Sequence, residues 1–263
     1  MFSPGFAHSC TAEACDVSPW LCATPTLKTS SLNPPWTRVA GLPPCSAPSQ
    51  LDTYDRIGRV YHYVRDEIAF GYNRTDDIPA SEVLANGYGQ CNTKGNLLVA
   101  LLRGCEVLAR FHGFTVHKPL QKGAIPAWLY TLSPLKLLHS WVEVLWEDAW
   151  VPLEGFIIDS QYLCALQERY PGTGSFCGYG VATDNLASPG TDWCGKPTYI
   201  QSTGIADDLG VFDHPDEFYA ACGTNLKGLK RMLYEHVLRH AINRTVAHVR
   251  EGRLTGYAGF LGS

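Results

Sequence analysis

The 263-residue chain is short of several things that would have fixed its class at once. No Lys/Arg-rich run appears and the formal net charge is −4, so a nucleic-acid partner has no electrostatic support. The apolar stretches, such as Leu97–Leu102, fall far short of the ~20 residues a membrane helix needs. The start, "MFSPGFAHSCTAEACD", lacks a basic n-region and a continuous apolar h-region, so no signal peptide and a cytoplasmic location are expected. No acidic loop of the EF-hand type is present, which leaves calcium without a site. No CxxC pair occurs, which removes the usual spacing of structural zinc. No internal repeat is seen.

What is present is an ordinary globular composition, 45% apolar and 17% charged, with ten cysteines. Without a secretory signal a disulfide framework is not expected, and most cysteines read as small buried hydrophobes with free thiols. Four of them fall in the first 45 residues, at no metal spacing. His112 and His117 lie five apart beside a strand, with no third ligand in spacing, so neither a metal nor a cofactor is expected.

The pattern suggests three regions. Residues 1–50 are rich in Pro, Ser, Thr and Ala and read as an irregular arm. Residues 51–160 read as the core, and 161–263 as a loop-rich, helical extension packed on it. In "YDRIGRVYHYVRDEI" the residues Ile57, Val60, Tyr61, Val64 and Ile68 fall on one helical stripe. A short helix capped by Ser81 ends at Gly87. The helix after Cys91 is apolar almost all round from Leu97 to Leu102, as in a buried helix. "ARFHGFTVH", "LLHSWVEVLW" and "AWVPLEGFII" read as strands. Cys164–Asp208 reads as loop, and Pro215–Arg250 as helix with Leu226, Leu229, Leu233, Val237 and Ile242 in phase. Helices followed by an antiparallel sheet predict an α+β fold.

A two-residue turn at Glu147-Asp148 pairs Trp146 with Ala149. Counting outward, His139, Trp141, Glu143 and Glu154 then project from one face, with Glu154 one diagonal step from His139. Cys91 sits between a Gly-rich turn and the buried helix. There it is either inert packing or a thiolate held by unpaired helix N–H groups. Gly87 and Gly89 are read as allowing a tight turn and a close approach of substrate backbone.

"ASEVLANGYGQCNTKGNLLVALLR" followed by "HSWVEVLWEDAWVPLE" resembles the transglutaminase-like core of the papain-like cysteine enzymes. The resemblance covers roughly Tyr54–Asp159, and the longer pattern, with "SFCGYGVAT" and "GIADDLGVFD", is similar to a bacterial branch of those proteins. It implies a central buried helix packed on an antiparallel sheet. It also implies cysteine-dependent acyl transfer, as a hydrolase or acyltransferase, through a thioester on Cys91 with His139 as base and Glu154 as orienting carboxylate. The family usually has Asp in the third place, which keeps Asp159 as an alternative. For the oxyanion the Cys91 N–H is the first donor and Gln90 a candidate second. Trp141, Glu143, Trp128 and Tyr130 are candidates to line a substrate cleft, each with a plain reading as core, ion-paired or loop-anchoring side chains. The implied substrate is a peptide, protein or small amide or ester. The alternative is a non-catalytic protein that keeps the fold and binds a ligand or peptide.

Overall fold

The computed structural model describes residues 51–226 and 228–254. The arm expected over 1–50 lies outside them.

Helix α1 (Thr53–His62) begins where Asp52 accepts the Asp55 N–H at 2.8 Å, and a wider turn, Tyr63–Glu67, continues it. Its expected stripe, Ile57, Val60, Tyr61, Val64 and Ile68, is buried throughout. Strand β1 (Ala69–Phe70) runs parallel to β2 (Tyr88–Gly89), with α2 (Ala80–Asn86) between them. Ser81 does not cap α2. The helix starts one residue earlier, entered from Pro79, whose fixed φ suits a helix start, and Ser81 falls inside the first turn. Gly87 ends α2 at φ 68°, in the left-handed region that favours glycine.

Helix α3 (Cys91–Gly104) is the central element, with Leu97, Leu98, Val99, Leu101 and Leu102 buried. It packs on a four-stranded antiparallel sheet whose strands lie side by side in the order Ala149–Leu153, Lys136–Trp146, Ala109–His117 and Ile205–Phe212. Strand β3 (Ala109–His117) leads through α4 (Ala127–Leu132) to β4 (Lys136–Trp146) and β5 (Ala149–Leu153). The hairpin turn is Glu147-Asp148, both at positive φ (47° and 62°), with Trp146 opposite Ala149. The third strand stops at Leu153 rather than running on to Ile158, because the chain turns back with the Ile157 N–H on the Glu154 carbonyl.

Beyond it come α5 (Ser160–Arg169), the hairpin β6 (Phe176–Gly178) and β7 (Val181–Thr183), and β8 (Ile205–Phe212). The stretch read as loop, Cys164–Asp208, therefore holds the second half of α5, the β6–β7 hairpin and the start of the fourth strand of the sheet. As an edge strand β8 hydrogen-bonds on one side only and carries Asp207 and Asp208, which masks the apolar alternation. The C-terminal helix is also not continuous. Gly223 breaks it into α6 (Pro215–Cys222), α7 (Gly228–Leu233) and, after a wide turn over Tyr234–Leu238, α8 (Arg239–Arg250). Of the five residues read in phase, Leu229, Leu233 and Val237 are exposed, and Ile242 is buried, together with Val246 and Val249.

Cys91, Cys177, Cys194 and Cys222 are free thiols. Cys105 is disulfide-bonded, against the expectation of free thiols. Among the described residues no helix is long and apolar enough to cross a membrane. The architecture is α+β, a buried helix on an antiparallel sheet.

Candidate active site

The N-terminus of α3 is fixed before any chemistry is considered. Gln90 is its N-cap, and its side-chain oxygen accepts N–H groups from Asn73 (3.0 Å) and from Thr93, while Thr93 Oγ1 takes the Gln90 N–H at 3.1 Å. Gln90 Nε2 donates to Asp76 Oδ1 at 3.3 Å. Both ends of the Gln90 amide are engaged in a buried capping arrangement. Gly89 is needed here because a Cβ would stand 2.7 Å from Thr93 Oγ1; its space is filled by α3, not left for a substrate.

Cys91 is the first helical residue, and the N–H of that position has no intrahelical acceptor. The thiol is half-buried. Beside it stands His139, fully buried on β4, with Nε2 2.8 Å from Glu154 Oε1. Glu154, also fully buried, follows the last residue of β5. Its second oxygen accepts the N–H groups of Ile200 and Gln201, each at 2.9 Å. Its own N–H donates to Thr198 O at 2.9 Å. A carboxylate held by two backbone donors cannot swing away from the imidazole.

His139 Nδ1 is buried without a well-formed hydrogen bond, and the Cys91 thiol is the neighbour that acts on that ring. Burial alone would push the imidazole pKa down. The charge and hydrogen-bonding capacity of Cys91, then those of Glu154, outweigh burial and raise it to about 9. Phe114 and Trp141 continue the wall on the same face of the sheet, their rings 4.1 Å apart, with Phe114 6.3 Å from His139.

Other candidates are placed differently. Glu143 shares that face but is committed to Arg110 (2.6 Å), His112 (2.8 Å) and the Trp141 indole N–H (3.4 Å). Burial raises its pKa, but the bonds from His112, Arg110 and Trp141 prevail and hold it below the usual carboxylate range. Asp159 caps α5 by accepting the Tyr162 N–H (2.9 Å), and it also takes the Phe70 N–H (2.8 Å) and Arg250 (2.7 Å). It is thus tied to β1 and α8, while the His139 imidazole is bound by Glu154. Trp128 is 56% exposed on α4, and Tyr130 lies under the Lys118 ammonium, 4.8 Å from its ring centre. His112 bridges Glu143 and Asp208, and by strand alternation His117 points to the other face of β3. Among the described residues no group of three or more His, Cys, Asp or Glu side chains is arranged to hold a metal ion.

Several residues around the site carried no sequence signal. Asn92 and Asp76 are buried polar groups beside Cys91, and Asn225 reaches them from the loop after α6. Lys94, fully buried one turn beyond Cys91, donates to the carbonyls of Arg65 and Ile157, each at 3.1 Å. The one available hint was the row of polar residues Asn92, Thr93, Lys94 and Asn96 at the start of a helix whose later part, Leu97–Leu102, reads as buried.

Residues 46–155 match the family model of the transglutaminase-like superfamily. The matched segment includes Cys91, His139 and Glu154. No curated protein matches the chain.

Proposed function

We propose that this protein is a cysteine-dependent acyl-transfer enzyme, hydrolase or acyltransferase, working through a thioester on Cys91. The observation that carries the reading is the buried imidazole of His139. One nitrogen is held by Glu154 at 2.8 Å, and the other is left for the adjacent Cys91 thiol.

His139 Nδ1 takes the proton of the Cys91 thiol, and Glu154 stabilises the imidazolium and fixes which nitrogen does the work. The thiolate sulfur bonds to the acyl carbon of an amide or ester. The carbonyl electron pair moves to oxygen, where the Cys91 N–H is the first donor to meet it. Collapse of this adduct breaks the bond to the amine or alcohol, which leaves with the proton from Nδ1. Water or an amine then gives its proton to Nδ1, attacks the thioester, and releases the acyl group and the Cys91 thiol. Peptides, proteins and small amides or esters all fit this scheme. The catalytic part is residues 51–160, and the region after it supplies the Ile200 and Gln201 N–H groups that hold Glu154.

The test is iodoacetamide labelling of the folded protein near neutral pH, mapped cysteine by cysteine. Cys91 is expected to react at least about tenfold faster than Cys194, an exposed free thiol. Equal rates at Cys91 and Cys194 would overturn the reading.

A further inference from the structure

The side chain most involved in holding the thiol and the imidazole together touches neither. Asp76 is a buried carboxylate, 6% exposed, in the segment between β1 and α2. Its Oδ1 accepts Gln90 Nε2 at 3.3 Å and Asn92 Nδ2 at 3.1 Å, so it binds the residues on either side of Cys91. Its Oδ2 accepts both the backbone N–H and the side-chain amide of Asn225, each at 3.0 Å. These partners reach across to β4. Asn92 Nδ2 also donates to the Leu138 carbonyl at 3.2 Å, and Asn92 Oδ1 accepts the Ser140 hydroxyl at 2.9 Å. Asn225 Oδ1 accepts the Leu138 N–H at 2.8 Å. Leu138 and Ser140 flank His139 as Gln90 and Asn92 flank Cys91.

We propose that Asp76 is a positioning residue that sets the separation of the Cys91 thiol and the His139 imidazole by gripping both neighbours of Cys91 directly and both neighbours of His139 through Asn92 and Asn225. The inference rests on the reading of Cys91 and His139 as nucleophile and base. Its logic is acceptor supply. Four donors converge on two oxygens, and amides alone cannot replace a carboxylate there. Asn92 cannot turn its amide to compensate, because its oxygen already serves Ser140. In Asp76→Asn one oxygen becomes an NH2 of nearly equal size. It then faces Gln90 and Asn92, or Asn225, donor against donor, and the helix start is pushed off β4.

The experiment is the iodoacetamide rate at Cys91 from pH 5 to pH 10 in wild type, Asp76→Asn and Asn225→Ala. Asp76→Asn is expected to lose at least about tenfold in rate at pH 6.5 and to follow the exposed thiol of Cys194, then to meet the wild-type rate within about twofold at pH 10, where thiolate formation no longer depends on a neighbouring base. Asn225→Ala removes one arm of the grip and shows a smaller loss of the same shape. A merely loosened structure would change the rate by one factor at every pH, and that result would overturn the proposal. So would a wild-type profile in Asp76→Asn. If Asp76→Asn does not fold, Asn225→Ala, altered in a half-buried loop, decides by the same criterion. A wild type with no selective labelling of Cys91 would instead sink the enzyme reading itself, and this inference with it.

Discussion

Replacing Glu154 by Gln is the perturbation with the sharpest expected consequence. The side chain keeps its size, and its oxygen stays on the Ile200 and Gln201 N–H groups, which need an acceptor. The new NH2 then points at His139 Nε2, where an oxygen accepted before. That nitrogen must now accept, so the ring proton moves to Nδ1, the atom proposed to take the thiol proton. The lost charge-assisted bond is worth about 1.5–3 kcal/mol. At about 1.4 kcal/mol per tenfold, the imidazolium–thiolate pair is depopulated roughly 10- to 150-fold. Iodoacetamide labelling of Cys91 near neutral pH should slow by that factor. Any turnover should fall further, by about 10⁴, as when an orienting carboxylate is replaced by an amide in a serine triad. The fold should survive with a fall in Tm of about 2–4 °C per kcal/mol lost. Wild-type labelling in a folded Glu154→Gln protein would refute the assignment of Glu154.

Asp159→Asn separates the two carboxylates: losing the Arg250 pair should cost about 1–3 kcal/mol of stability, seen in urea unfolding, yet leave Cys91 labelling within about twofold of wild type. His139 gains stability as a cation, since its pKa is raised from 6.5 to about 9. That contribution is fully present below about pH 6.5 and lost as pH rises through about 9, so the urea midpoints of wild type and His139→Gln should draw together over that range. Lys94 behaves in the opposite sense, because burial lowers its pKa to about 7 against the pull of Asp159 and Asp66. Its burden on the folded state is full below about pH 7 and gone by about 10.5. Wild type should therefore gain stability over Lys94→Met as pH rises from 7 to 10, and a constant difference in urea midpoints would contradict it.

The local parts of this architecture were legible because short-range chemistry determines them. Glu147-Asp148 occupies a two-residue turn that needs positive φ, and once that turn is placed the register puts His139 and Glu154 on one face. Gln90 illustrates the reverse. Its type and position suit an oxyanion donor, but the cap of the helix N-terminus takes the amide oxygen and Asp76 takes the NH2. The grip of Asp76 and Asn225 joins segments 149 residues apart, and no periodicity records such a contact. Strand β8 was hidden because edge pairing tolerates acidic residues that a central strand would not. Leu229, Leu233 and Val237 show the limit of phase arguments, since apolar spacing was present where burial is not.

The most direct measurement of the central claim is the mass of the protein after brief exposure to an activated acyl ester, with the adduct mapped and treated with hydroxylamine. One acyl group is expected, on Cys91, released by hydroxylamine as a thioester is, and absent from His139→Gln under the same conditions. An adduct spread over Cys194 and Cys222, or one on Cys91 that forms as fast without His139, would contradict it.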